Sequence, residues 1–263
     1  IDDIRSLCAQ QGLYLIEDCA HAHGSTVDGT HAGLLGVAGG FSFFPTKTFT
    51  TGEGGMVITD DEGVYHNALM LRNQGKNPAL GNKISEFGHN WRLSEVTAVL
   101  GVQQMQKADE ILADRRKIAR YYDQVFQEFH GLRPLTVPPN TTTSCYKYIA
   151  YLEDHYPRGE VKRVMKEKYG VSLTGEVYAD LCHNEPIWQT YSYCGKKKTG
   201  PGQVQCTRWP QCGCGKSQQG FPGAEQLSAH HICLPMYPGL SEDDLEYVVT
   251  SLGRTLHQDL PGA

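Results

Sequence analysis

The sequence predicts an α/β protein: a large domain built on a mostly parallel sheet over residues 1–133, then a small α+β domain over 134–263. Three observations carry this. Residues 2–11 put Ile4, Leu7 and Cys8 at helical spacing and stop at Gln11-Gly12. The apolar run 13–17 then reads as a buried strand, and 40–44 as another, so helix and strand alternate as they do in a parallel sheet. Beyond the proline-punctuated stretch 134–139, shorter strands and helices mix without that rhythm.

Taken in order, residues 24–40 hold six glycines and read as loop and turn. A short strand over 56–59 leads into a helix over 60–72, with Val64, Ala68 and Leu71 facing inward. Residues 73–93 form a long polar loop, of the kind that often carries function. Ser94 caps the longest helical pattern, 95–128, whose apolar positions include Val96, Val99, Leu100, Val102, Leu112, Ile118 and Tyr122. Asp114, Arg115, Arg116 and Lys117 read as a solvated charged face on that helix. In the second half, 146–152 and 171–174 read as strands, and 160–168 and 241–256 as helices.

With 263 residues the chain can bury a proper core, and a net charge of −5 gives no global reason to expect nucleic-acid binding. No run approaches the roughly 18 apolar residues of a membrane span, and no signal peptide is visible. The nine cysteines are odd in number in a chain too long for a small secreted scaffold, which favours reduced thiols and a cytoplasmic protein.

The chemistry gathers around Lys47, which sits among aromatics, hydroxyls and glycines just past the 40–44 strand. Burying an ammonium is costly, and a partly dry site turns a lysine amine into a nucleophile toward carbonyls. Asp18 ends the preceding strand, and the C-terminal ends of parallel strands are where open α/β sheets bind ligands. Asp18, His21, Ser42 and Lys47 are therefore expected to converge. A Schiff-base lysine and a carboxylate facing a pyridinium nitrogen are what pyridoxal 5′-phosphate (PLP) chemistry requires.

Six segments in order, E-D-C-A-H-A-H-G, F-S-F-F-P-T-K, G-E-G-G-M-V-I-T-D, L-R-N-Q-G, G-H-N-W-R-L-S-E and the tail H-I-C-L-P-M-Y-P-G-L-S, resemble the DegT/StrS-type family of PLP-dependent sugar aminotransferases. That resemblance implies the type I PLP-dependent transferase fold and transfer of an amino group from an amino acid such as glutamate to a nucleotide-linked keto sugar. It implies that Lys47 is the Schiff-base and proton-moving residue, and that Asp18 faces the pyridinium nitrogen. It also implies that His21 lies near the cofactor ring, and that the Ser42 hydroxyl binds the cofactor phosphate. Asn90 and Arg92 match a loop that reaches the cofactor phosphate of a neighbouring subunit, which implies a homodimer with a shared active site. His183 matches a substrate-side position. By the same resemblance Ile1 falls about a third of the way into the family pattern, so a phosphate-binding turn and a ring-stacking aromatic are expected to be missing from this chain.

Two alternatives stand beside this reading: amination of a keto cyclitol, and a non-catalytic fragment that keeps the fold but cannot hold PLP. Sugar-dehydrating relatives replace the lysine, so Lys47 argues against that branch. The stretch 192–220 departs from the family pattern. Its Cys194, Cys206, Cys212 and Cys214 lack the paired C-x2-C spacing of a zinc site, so no metal is assigned, and its charges are all positive.

Overall fold

The computed structural model describes residues 1–176, 179–187 and 220–260. The cysteine- and lysine-bearing part of the 192–220 stretch lies outside these residues. The described chain forms two compact units, each assembled from three segments: Ile1–Gln124, Thr136–Tyr146 and Met236–Leu245 in the first, and Val125–Leu135, Lys147–Pro235 and Glu246–Ala263 in the second. The sequence reading draws one boundary at 133/134, whereas 136–146 and 236–245 belong to the first unit.

The first unit begins with α1 (Asp2–Gln11), which carries Asp2 and Asp3 in its first turn and stops where Gly12 turns left-handed at φ 62°. Strand β1 (Ile16–Asp18) follows, then a small hairpin of β2 (Thr26–Val27) and β3 (Thr30–His31) inside the glycine-rich stretch read as loop. Strand β4 (Ala38–Ser42) lies parallel to β1 and antiparallel to β5 (Gly55–Ile58), giving the sheet order β1-β4-β5. The β1 strand starts three residues later than the apolar run, and just ahead of it the Leu15 carbonyl accepts from the Val37 N–H. Gly36 and Gly39 allow this close approach: a Cβ on the first would run into the Leu15 carbonyl, and one on the second into Gly33.

Helix α2 (Glu62–Arg72) opens on Asp61, whose carboxylate accepts from the Val64 N–H at 2.8 Å. The loop after it contains a second short hairpin, β6 (Lys76–Asn77) with β7 (Lys83–Ile84). The long helical pattern expected from 95 to 128 is two helices, α3 (Glu95–Gln106), capped by Ser94, and α4 (Ala108–Val125). Lys107 breaks it at φ −105°, and its carbonyl receives the Ile111 N–H to start α4. Lysine is no helix breaker, so residue type gave no signal for the interruption.

The charged face expected at 114–117 is a second correction. Arg115 is 7 % exposed, and Arg116 reaches the carbonyls of Gly24 and Thr143. Both arginines have backbone carbonyls to satisfy, which periodicity cannot reveal.

In the second unit, β8 (Leu132–Pro134), β10 (Tyr148–Leu152) and β11 (His231–Leu234) form an antiparallel sheet with β10 in the centre. The remaining short strand, β9 (Thr141–Thr142), pairs with β2 in the first unit. Helices α5 (Arg158–Tyr169), α6 (Pro222–His230) and α7 (Glu242–Arg254) complete the chain. Val161, Met165, Leu173, Ile232, Leu252 and Leu256 are almost wholly buried in the core of this unit. Residues 171–174 form no strand: Val171 and Leu173 are buried, but their backbone pairs with no strand.

Candidate active site

Parallel pairing decides where the site lies. Asp18 lies opposite Gly40, so β1 and β4 end at the same sheet edge. From that edge β1 releases Asp18, Cys19 and His21, and β4 releases Ser42 and then the 43–54 loop with Lys47. The loop is held by two returns to Phe43, whose N–H donates to Gly54 O at 2.9 Å and whose carbonyl accepts from the Thr51 N–H at 3.0 Å. The Lys47 N–H donates to Phe44 O at 3.0 Å, which folds the lysine into a turn and leaves it half-buried.

Asp18 is exposed, and its Oδ1 accepts from the Ala20 N–H at 3.0 Å. Among the described residues Oδ2 makes no hydrogen bond, so one carboxylate oxygen is available to a ligand. Next to it, Glu17 is wholly occupied. Its Oε2 accepts from Gly33 N–H, and its Oε1 accepts from Leu35 and Gly36 N–H, at 2.6 to 2.8 Å. Of two neighbouring carboxylates, one therefore pins a loop and the other is free for chemistry. Cys19 is 1 % exposed, and burial, reinforced by the Glu17 and Asp18 charges, pushes its thiol up to about 11. It is an inert core thiol.

His21 stacks on Tyr146, with ring centroids 4.2 Å apart at 27°. Lys47 Nζ lies 5.4 Å from the centroid of the same Tyr146 ring, and the Tyr146 hydroxyl is 3.1 Å from Thr46 Oγ1. The structure thus brings His21 and Lys47 onto one ring. Ser42 Oγ accepts from the Phe44 N–H at 3.3 Å, which leaves its own O–H able to donate.

His23 is 5 % exposed and surrounded by the rings of Phe41, Phe43 and Phe49 at 5.3 to 5.5 Å, with neither ring nitrogen in hydrogen-bonding geometry with a partner among the described residues. Burial pushes its pKa down to about 4; the Ser42 backbone opposes this, and the Lys47 and His21 charges add to it. At neutral pH His23 is uncharged and adds no positive charge beside Lys47. The Thr48 hydroxyl is also buried, without a hydrogen bond among the described residues.

The other expected residues are not brought to this edge by any contact seen here. Asn90 and Arg92 are exposed; Asn90 bridges to Asn73, and Arg92 Nη1 donates to Asn73 Oδ1 at 2.8 Å. His183 belongs to the second unit, where its Nε2 lies 3.3 Å from Glu225 Oε1. A cleft of about 300 Å³ beside α2 and another of about 220 Å³ against β10 and β11 include neither Lys47 nor Asp18.

Sequence reasoning missed Tyr146 and the segment that holds it. Ser144 N–H donates to Ser25 Oγ at 2.9 Å, Ser144 Oγ–H to His21 O at 2.7 Å, and Arg115 Nη1 to the carbonyls of Cys145 and Tyr146 at 3.3 and 3.4 Å. The run Thr141–Ser144 has no periodicity, and its only signal was an aromatic next to hydroxyls.

A carboxylate at the end of one parallel strand and a half-buried lysine after its neighbour fit a type I PLP-dependent transferase fold, which the solved structures below share. The model of the DegT/DnrJ/EryC1/StrS aminotransferase family matches residues 1–209, and the chain belongs to that family. It is 37 % identical over 250 residues to GDP-perosamine synthase of Vibrio cholerae, covering 94 % of this chain and 60 % of that protein. It is 38 % identical over 258 residues to EpsN of Bacillus subtilis, a putative pyridoxal phosphate-dependent aminotransferase, covering 98 % and 60 %. Among solved structures, the aminotransferase TlmJ from Streptoalloteichus hindustanus superposes with a TM-score of 0.77 at 29 % identity, over 96 % of this chain and 61 % of that one. S. venezuelae DesV shares the fold with a TM-score of 0.80 at 23 % identity, over 98 % and 62 %. The chain spans about 60 % of the length of the relatives it matches. Among the described residues no helix is long and apolar enough to cross a membrane, and no group of three or more His, Cys, Asp or Glu could hold a metal ion.

Proposed function

We propose that this chain carries the reaction centre of a cytoplasmic PLP-dependent aminotransferase that moves an amino group from an amino acid, glutamate the favoured donor, to a nucleotide-linked keto sugar. The observation that carries the reading is the shared edge of β1 and β4, with a carboxylate at the end of one strand and a half-buried lysine in the loop after the other. The residues present fit the cofactor. Lys47 offers an amine for its aldehyde, Asp18 an unoccupied carboxylate oxygen for its ring nitrogen, and Ser42 a free O–H for its phosphate. The buried, unpartnered Thr48 hydroxyl adds a polar group that a ligand could satisfy.

When bound, PLP supplies an electron sink for the pair left behind as a proton leaves the substrate carbon. Lys47 would hold the cofactor through its amine, and that amine, when free, would take the proton and return it. Asp18 would hold a proton on the ring nitrogen by opposite charge, and Ser42 would anchor the phosphate. His21, held against the Tyr146 ring, would support the cofactor ring. Uncharged His23 spares Lys47 the repulsion of a neighbouring cation.

The sugar reading draws on the relatives named above, one of which is called a GDP-perosamine synthase. A homodimer with a shared site is supported by exposed Asn90 and Arg92 and by the α3 residues Val96, Val99 and Leu100, which are more than half exposed although apolar. In that dimer Asn90 and Arg92 would reach the partner's cofactor phosphate, and His183 would serve the sugar substrate.

PLP titration of the full-length protein tests the reading. A visible absorbance band is expected, with borohydride fixing the cofactor on the peptide that contains Lys47, and Lys47→Ala is expected to lose both band and amino transfer while staying folded. A colourless protein at saturating PLP, or turnover retained in Lys47→Ala, would sink it.

A further inference from the structure

We propose that Tyr146 is a positioning residue of this site, and that segment 143–146 is thereby part of the reaction centre. The inference rests on reading Lys47 as the amine that captures the cofactor carbonyl. One ring touches three residues from two different loops: His21 after β1, and Thr46 and Lys47 after β4. Tyr146 comes to both loops from a third segment of the chain, 143–146.

The ring is itself held from behind. Ser144 is 3 % exposed and ties the segment to Ser25 and His21, and the Tyr146 N–H donates to Ser144 Oγ at 3.3 Å. Buried Arg115 grips the carbonyls of Cys145, Tyr146 and Met236 from one Nη1, while Arg116 Nε donates to Thr143 O at 3.2 Å. Cys145 adopts φ 49°, a left-handed backbone that a non-glycine residue takes only when its surroundings enforce it. The segment is built to present one side chain in a fixed place.

Two attractions follow from the chemistry. The π face of Tyr146 attracts the Lys47 ammonium and keeps its long, mobile stem near one position. The stack against His21 fixes the plane of an imidazole that would otherwise rotate in the turn after β1. The hydroxyl adds a contact to Thr46, the residue before the lysine. Loss of the ring should let both loops drift, with the amine spending less time where a carbonyl can meet it.

The test compares Tyr146→Phe and Tyr146→Leu in the full-length protein with two readouts. The first is the rate at which PLP becomes fixed by borohydride on the Lys47 peptide. Phenylalanine keeps the ring and should stay within about threefold of the parent; leucine should be slower by about tenfold or more, as the loss of a stack and a cation–π contact implies. The second needs no cofactor: the His21 ring protons should resonate upfield through the Tyr146 ring current, in the parent and Tyr146→Phe but not in Tyr146→Leu. Leucine matching the parent in both readouts would overturn the proposal. If the leucine variant does not fold, Tyr146→Met, which fills the volume without a π face, carries the same two expectations. Failure of the parent itself to trap PLP would count against the reading of Lys47 instead, while the His21 resonance would still report whether Tyr146 holds that ring.

Discussion

Asp18 lies opposite Gly40 in the parallel register of β1 and β4, one of its carboxylate oxygens bound to Ala20 N–H and the other without a hydrogen bond among the described residues. That pairing fixes the carboxylate at the edge from which Ser42 and Lys47 emerge.

Asp18→Asn is expected to lower amino transfer on the order of 10²-fold or more, because an amide cannot hold the ring-nitrogen proton by charge. The same variant should still let Lys47 capture PLP, since the amine and its loop are untouched. Steady-state turnover and borohydride trapping, measured side by side, separate the two effects. Activity within a few fold of the parent would make Asp18 a structural residue.

Glu17 gives a contrasting prediction. Its carboxylate accepts three backbone N–H groups, from Gly33, Leu35 and Gly36, and bonds to a charged acceptor are stronger than neutral ones. Glu17→Ala should cost about 2–4 kcal/mol locally and leave three amides without their acceptor. Hydrogen exchange at Gly33, Leu35 and Gly36 should then quicken by roughly 30-fold or more. Unchanged protection would mean that glycine packing alone holds the loop.

His23 predicts a pH dependence. Its folded pKa is lowered to about 4 from a usual value of 6.5, so below neutrality the unfolded chain binds a proton that the folded chain does not. Stability therefore falls as pH drops from about 6.5 toward 4. His23→Phe, which keeps an aromatic among Phe41, Phe43 and Phe49, should remove about 2–3 kcal/mol of that acid loss. Unfolding curves at pH 7 and pH 4.5 would show it; parallel losses in parent and variant would assign the acid sensitivity elsewhere.

Several features were legible along the chain. Gly12 ends α1, Asp61 and Ser94 cap their helices, and alternation along β10 buries Tyr148, Ala150 and Leu152. Lys47 and Asp18 stood out because a lysine among aromatics and a carboxylate ending an apolar run are charged groups against apolar neighbours in sequence. Such features depend on the residue and a few neighbours, and so they survive in one dimension.

Other features belong to the fold alone. The buried state of Arg115 depends on carbonyls at Cys145, Tyr146 and Met236, the last of them 121 positions away, and no local pattern encodes such partners. Glu17 and Asp18 are chemically alike and adjacent, yet the loop that folds back to donate three N–H groups occupies one and spares the other. Tyr146 stands 99 positions after Lys47, and only the docking of Ser144 and Arg116 on the loop after β1 brings its ring to the amine. Which residues stand out as candidates and where helices stop can be read along the chain, because propensity, capping and side-chain chemistry act over a few residues. Tertiary structure decided which groups meet and which are already spent, because hydrogen bonds and ring contacts go to neighbours in space.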